Sequence, residues 1–371
     1  MLQIGIPRET RQGETRVAGA PDCVKKLVKQ GLRICVEKGA GEKAGFTDEE
    51  YVSAGGQIAD TSAVYGSDIV LKVGRPTPTE IGGMKKGSLL ICLMDPFVAP
   101  EGIARLAEAG IDSIAMEFIP RISRAQSMDA LSSQAGIAGY RAVIEAAAHY
   151  GRFFPLMMTS AGSSKPAKVA ILGAGVAGLQ AISAARRLGA SVESYDVRPE
   201  VKEQILSLGA KFIELDVGES GAGSGGYAKE LSEEGRKKQQ QLLTEKLKKF
   251  DIIVSTANIP GKKAPVLITE EAVKGMRSGS VIVDMAAANG GNCPLSEADK
   301  VVVKHGVTLI GTVNFPALMP ADASLFYGNN LVSLLSLLVE KKETGLALNI
   351  NLDDEIIKGS LVTHKGSLVR K

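Results

Sequence analysis

Short apolar runs alternate with amphipathic stretches along the whole chain, and this alternation sets the fold class before any motif is considered. In the first 118 residues, runs at 3–6, 33–37, 68–73, 88–93 and 113–117 predict strands. Between them, 21–30, 48–54, 77–82 and 100–109 carry apolar residues at helical spacing. Strands alternating with helices in this way predict a parallel sheet covered on both faces. Runs at 168–172, 191–195, 211–215, 251–255, 279–284 and 307–311 predict a second unit of the same kind. The Ala- and Leu-rich stretch 129–150 reads as one long helix joining the two, with Gly136 and Gly139 its only weak points. A further apolar stripe at 325–339 predicts a helix that packs back on the first domain and brings the termini near each other. The expected fold class is therefore α/β, with two doubly wound, Rossmann-like parallel-sheet domains joined by a long helix. The expected partition is 1–128 with 322–371, and 129–321.

The second unit opens on the strongest motif. Val169-Ala170-Ile171-Leu172 runs into Gly173-Ala174-Gly175-Val176-Ala177-Gly178, a Gly-x-Gly-x-x-Gly turn followed by a helical stripe of Leu179, Ile182 and Leu188. A strand–glycine turn–helix offers unpaired backbone N–H groups and a positive helix end to a pyrophosphate. Gly173 permits the tight turn, Gly175 admits the phosphates, and Gly178 lets the helix pack close to the strand. Asp196 closes the next apolar run, 23 positions after Gly173 (196 − 173), near the ~20 expected for a ribose-binding acid. Asp196-Val197-Arg198 is thus the expected ribose end of the site. A carboxylate there accepts hydrogen bonds from both ribose hydroxyls and repels a 2′-phosphate, which favours NAD(H) over NADP(H). The simpler reading keeps the glycines for packing and makes Asp196 a cap for a helix at Arg198-Pro199. The first domain has no such fingerprint after its first strand, where the turn is Gly5-Ile6-Pro7-Arg8-Glu9.

Composition narrows the choice of partner. With 44 basic and 41 acidic residues the formal charge is +3, which gives no reason to propose nucleic acid or an anionic membrane as a direct partner. No apolar run reaches the ~18–20 residues of a membrane span, and the start reads as a strand rather than a signal peptide. Cys23, Cys35, Cys92 and Cys293 lack metal-like or C-x-x-C spacing, and His149, His305 and His364 are scattered. No metal site is expected, and the cysteines read as small hydrophobes in a reducing compartment.

Two polar segments remain. Residues 218–227 hold five glycines and two serines, followed by charged helical sequence at 229–249. This reads either as a solvated loop or as a flap rooted at Tyr227 that closes over bound nucleotide. Residues 120–134 crowd two arginines, two glutamines, an aspartate and four serines at a domain junction. Asp129 is an expected helix N-cap, and Arg121 and Asp129 an expected pair. The carboxamide of Gln126 matches that of a nicotinamide in donor and acceptor pattern.

The motifs at 121–129 (RISRAQSMD), 132–143 (SSQAGIAGYRAV), 173–181 (GAGVAGLQA), 196–199 (DVRP), 225–230 (GGYAKE) and 258–262 (NIPGK) resemble the NAD(H)-binding component of proton-translocating nicotinamide nucleotide transhydrogenase over essentially the whole chain. Alanine dehydrogenase shares the two-domain plan. The resemblance implies a homodimer with NAD(H) in a cleft between the domains of each subunit, and a cytoplasmic location peripheral to the inner membrane. It implies an NADP(H)-binding partner component and membrane-spanning proton-channel components, with Re/Si-specific hydride transfer. Arg121, Gln126, Asp129 and Ser132 would form the polar cluster at the nicotinamide. Tyr227 would lie on a mobile loop, and Gly173, Ala174, Gly175, Val176, Ala177, Gly178, Asp196, Val197 and Arg198 would hold the rest of the dinucleotide. The absence of a span before Lys371 suggests a membrane part on another polypeptide, or a cut fragment.

The chain departs from alanine dehydrogenase where that enzyme performs acid–base work. Arg16 and Lys72 match its substrate-binding cations. The position of its catalytic histidine, within Leu93-Met94-Asp95-Pro96, falls nearest Met94, and that of its catalytic aspartate falls on Ala288. Oxidative deamination needs a group that accepts and returns protons, whereas hydride transfer between two nicotinamides needs aligned, dry rings. Arg16 and Lys72 then read as structural pairs or remnants of an ancestral site. The alternatives are an NAD-dependent dehydrogenase of alanine-dehydrogenase type and a non-catalytic NAD(H)-binding regulatory module.

Overall fold

The computed structural model describes residues 2–217, 232–258, 261–343 and 345–370. The chain folds as two compact units, Met1–Gln134 with Pro316–Lys371, and Ala135–Phe315. Helix Ala130–His149 begins in the first and continues in the second.

The first unit is built on an eight-stranded sheet in the order Ser367–Leu368, Leu361–His364, Asp112–Ala115, Leu89–Cys92, Ile69–Leu71, Gln3–Ile6, Arg33–Glu37, Gln57–Ala59. The six strands from Asp112–Ala115 to Gln57–Ala59 run parallel, with the order reversing at Gln3–Ile6. That is the doubly wound order. The fully buried runs explain why these strands read as continuous apolar stretches. Helices Asp48–Ser53 and Pro78–Gly83 start at capping boxes, Thr47 with Glu50 and Thr77 with Glu80, which fix where each crossover turns back to the sheet. Helix Pro320–Leu338 contributes Leu331, Leu334, Leu335 and Leu338 to the same core as Ile4, Ile6 and Val36.

The second unit carries a seven-stranded sheet, Lys211–Phe212, Ser191–Tyr195, Lys168–Leu172, Ile252–Ser255, Val281–Asp284, Val307–Ile310, Val301–Lys304. Its order reverses at Lys168–Leu172, which is paired on one side with Ser191–Tyr195 and on the other with Ile252–Ser255. The first turn after such a strand opens at a topological switch point, where α/β sheets bind ligands. Helix Ala130–His149 meets helix Val176–Arg187 at Gly139, where a Cβ would lie 2.0 Å from the carbonyl oxygen of Ala177. The weak point in the helix is a requirement of close packing.

Two expectations about the sheets need correction. Both sheets are mixed: Leu361–His364 pairs antiparallel with Asp112–Ala115, and Val301–Lys304 pairs antiparallel with Val307–Ile310. Val301–Lys304 is an edge strand that alternates in exposure despite its three valines, and Leu361–His364 lies between Asp112–Ala115 and Ser367–Leu368, buried over its first three residues. The strand expected at 211–215 contracts to Lys211–Phe212, and a hairpin of Met157–Thr159 with Gly162–Ser164 was not expected. The charged helix expected at 229–249 is observed as Glu233–Leu247. The expected flap at 218–227 with Tyr227 lies outside the described residues.

Candidate functional site

The fingerprint turn is shaped by close approach on one side and open space on the other. Gly173 has φ +95°, in the left-handed region, and a Cβ there would meet the Thr256 hydroxyl at 2.6 Å. At Gly178 a Cβ would lie 1.8 Å from the Gly173 carbonyl oxygen. At Gly175, chain neighbours aside, no atom of the described residues lies within 4 Å of where a Cβ would be. Gly173 and Gly178 are therefore demanded by the fold, whereas at Gly175 a side chain would intrude only on a molecule in the open space. Gly175 begins helix Val176–Arg187 with no side chain capping its first turn, so the positive end of a 12-residue helix stands open to that space. Val176 and Val197 are exposed beside it, apolar surfaces suited to a planar base.

Asp196 is buried at the tip of strand Ser191–Tyr195. It accepts the Ala174 N–H at 2.7 Å, which ties it to the glycine turn. Arg198 donates its backbone N–H at 2.9 Å, its Nε at 3.0 Å and its Nη2 at 2.9 Å to the same carboxylate. Burial pushes the Asp196 carboxyl up, but the bonds from Arg198 and Ala174 outweigh it and hold the acid below its ordinary value. The cap of helix Pro199–Val201 is Arg198, without a side-chain hydrogen bond, so Asp196 does not act as that helix's N-cap.

One support of the turn was not legible in the sequence. Thr256 donates its hydroxyl to the carbonyls of Leu172 and Gly173, at 3.2 and 3.1 Å. A Ser/Thr just after an apolar strand is the only sequence signal it gives.

Within the first unit, residues Ser123–Met128 form a 3₁₀ turn leading into helix Ala130–His149. Asp129 does cap the helix: it accepts the Ser132 N–H at 2.9 Å and the Ser132 hydroxyl at 2.6 Å. The expected Arg121–Asp129 pair does not form; both carboxylate oxygens accept hydrogen bonds from Ser132. Arg121 and Gln126 are exposed, and among the described residues neither side chain has a hydrogen-bond or ion-pair partner. The turn is pinned from below by Asn330, which donates to the Ser127 carbonyl at 2.9 Å and accepts the Ser133 hydroxyl at 2.7 Å. Arg124 is held away by a two-pronged ion pair with Asp354.

Arg16 and Lys72 are both paired with acids of their own unit. Arg16 donates Nε and Nη2 to Glu14 at 2.8 and 2.7 Å and Nη1 to Gln134 at 2.8 Å. Lys72 is 1% exposed and lies 3.3 Å from Glu9 and 3.2 Å from Glu80. Met94 is buried, and Glu117 accepts the Met94 and Asp95 N–H groups at 2.8 and 2.7 Å. Ala288 is exposed on a short turn, Ala287–Asn289. All four cysteines are free and buried. Among the described residues there is no grouping of His, Cys, Asp and Glu that could hold a metal ion, and no helix long and apolar enough to cross a membrane.

A glycine turn at the switch point, an open helix end and a buried carboxylate at the next strand tip define a two-domain α/β protein with a Rossmann nucleotide-binding unit. The chain belongs to the alanine dehydrogenase/PNT family: residues 142–371 match the model described as "Alanine dehydrogenase/PNT, C-terminal domain" and residues 5–138 that described as "Alanine dehydrogenase/PNT, N-terminal domain". It is 48% identical to the first part of NAD(P) transhydrogenase subunit alpha of Rhodospirillum rubrum, over 99% of this chain and 98% of that protein. It is also 48% identical to NAD(P) transhydrogenase subunit alpha of Haemophilus influenzae, over 98% of this chain and 71% of that protein. Among solved structures it matches a transhydrogenase from Sinorhizobium meliloti with a TM-score of 0.90 and 44% identity, over 99% of each chain.

Proposed function

We propose that this chain is the NAD(H)-binding component of a proton-translocating transhydrogenase, active only with a partner that carries NADP(H). The observation that carries this reading is the 48% identity to a transhydrogenase subunit over nearly the full length of both chains. The family also contains alanine dehydrogenase, and Met94 and Ala288 supply no proton-transferring group at the two positions where that enzyme needs one. NADH supplies the hydride from C4 of its nicotinamide.

The amides of the turn Gly173, Ala174, Gly175, Val176, Ala177 and Gly178 bind the pyrophosphate, apart from the Ala174 N–H, which is given to Asp196. Asp196 takes the adenine-ribose hydroxyls and excludes a 2′-phosphate, while Val197 and Arg198 border the ribose and base. Because Arg198 occupies both oxygens of Asp196 without ligand, the ribose must compete with it. Gln126 orients the nicotinamide carboxamide, for which its unpartnered carboxamide is suited. Arg121 contributes positive charge, Asp129 and Ser132 fix the helix start that carries the cluster, and Tyr227 closes over the site. The protein works as a homodimer at the inner membrane, held there by partner subunits that conduct protons.

Asp196→Ala is expected to weaken NADH binding by about tenfold and to narrow the preference over NADPH, as read by titration of nucleotide fluorescence. Unchanged affinity for both nucleotides would move the ribose contact elsewhere. Gln126→Asn should slow hydride transfer by on the order of a hundredfold with NADH affinity nearly constant, because the shortened side chain misaligns the ring. Stopped-flow transfer rates with the partner present test this, and a wild-type rate would remove Gln126 from the site. The purified chain should not reduce NAD⁺ with L-alanine. Such a reaction would establish the dehydrogenase instead.

A further inference from the structure

A cavity lies wholly in the first unit, remote in sequence from the fingerprint. It has a volume of about 300 Å³, with Arg11, Arg75 and Arg105 on its wall beside Pro76, Pro78 and Ile81. Such a volume is at the lower end of ligand pockets. It suits a small molecule and is too small for a dinucleotide.

The charges on this wall are incompletely balanced. Arg11 and Arg75 share a single carboxylate oxygen, Oδ2 of Asp95, at 3.0 and 3.5 Å. The 3.5 Å contact is made by Nη1 of Arg75, a buried atom that has no hydrogen bond among the described residues beyond this long ion pair. Arg105 has no ion-pair partner among the described residues, although Glu101 stands one turn before it on helix Pro100–Glu108. Glu9, the other acid on the wall, lies 3.3 Å from Lys72. Ala99 begins helix Pro100–Glu108 without a side-chain cap, and Ala99, Glu101 and Gly102 line the cavity, so the positive end of a nine-residue helix adds to the guanidinium groups.

We infer that this cavity is a binding site for a phosphate monoester with a small apolar body. A planar carboxylate is satisfied by one guanidinium in two-pronged fashion, whereas a phosphate dianion has acceptors in several directions and matches separated donors. The prolines and Ile81 supply an apolar wall for the ester group. Glu101 opposes binding, being an acid on the same wall, and sets the sign of a second test.

Titration calorimetry of the full chain with phenyl phosphate, inorganic phosphate and benzoate tests the site. Phenyl phosphate should bind saturably and about tenfold more tightly than either of the others. Arg105→Gln, at an exposed and unpaired position that the fold does not need, should weaken phenyl phosphate about tenfold, and Glu101→Gln should tighten it severalfold. Gly175→Ala, at the fingerprint, should leave it unchanged, which separates this site from any phosphate binding at the nucleotide turn. Absence of saturable binding, or binding indifferent to both pocket variants, would overturn the proposal. Benzoate binding as tightly as phenyl phosphate would overturn the phosphate assignment, and equal affinity for inorganic phosphate would overturn the ester.

Discussion

Lys72→Ala is expected to lower the unfolding free energy of the first unit by about 3–5 kcal/mol. Lys72 is 1% exposed between Glu9 and Glu80, which are themselves almost fully enclosed. Burial pushes the Lys72 ammonium down, but the two carboxylates outweigh it and hold the group charged. Burial pushes the Glu9 carboxyl up, and the Lys72 ammonium and the Val73 N–H oppose that shift. Removing the ammonium leaves two carboxylates in an apolar setting, accepting the Val73 and Thr77 amides and the Thr10 hydroxyl. Urea denaturation followed by circular dichroism measures the loss. The triple change Lys72→Met, Glu9→Gln and Glu80→Gln should recover much of it, since isosteric replacement of a buried ion cluster is often neutral. A single-variant loss under about 1 kcal/mol would show that water reaches the cluster and that the pairing contributes little.

At the fingerprint, Gly178→Ala and Gly175→Ala should part company. The new Cβ at Gly178 would lie 1.8 Å from the Gly173 carbonyl oxygen, a backbone atom that cannot give way without opening the turn. The expected result is a loss of stability of about 3 kcal/mol or more, from overpacking. NADH affinity should fall at least about a hundredfold, since the amides that face the pyrophosphate move with the turn. Among the described residues, chain neighbours aside, Gly175→Ala meets no atom within 4 Å, so the melting temperature should hold while NADH binding weakens. Thermal melts with and without NADH read both outcomes. If Gly175→Ala bound NADH normally, the open space beside it would not be the phosphate seat.

Legibility in the sequence differs between the two units. In the second, the apolar run 168–172, the glycine spacing and Asp196 lie in one local stretch, and the strand, turn and helix form where they were expected. The doubly wound order of the first unit was also readable, because its buried parallel strands are apolar throughout. What escaped the sequence is long-range. Thr256 and Asn330 lie 83 and 203 residues from backbone groups they hold, and the only local mark is the position of Thr256 just after an apolar strand. Gly139 looked like a defect in a helix and is instead the contact point with Ala177. The expected Arg121–Asp129 pair is absent, and the Asp129 carboxylate is bonded locally to Ser132, three residues on.

The most direct test follows an isotope. NADH carrying deuterium at the transferred C4 position is mixed with this chain, NADP⁺ and the NADP(H)-binding component, and the products are analysed by mass spectrometry. Deuterium should appear on the nicotinamide of NADPH, with none lost to water and none transferred when the second component is left out. Label released to solvent, or found on a carbon acid while NADP⁺ stays unlabelled, would contradict the account.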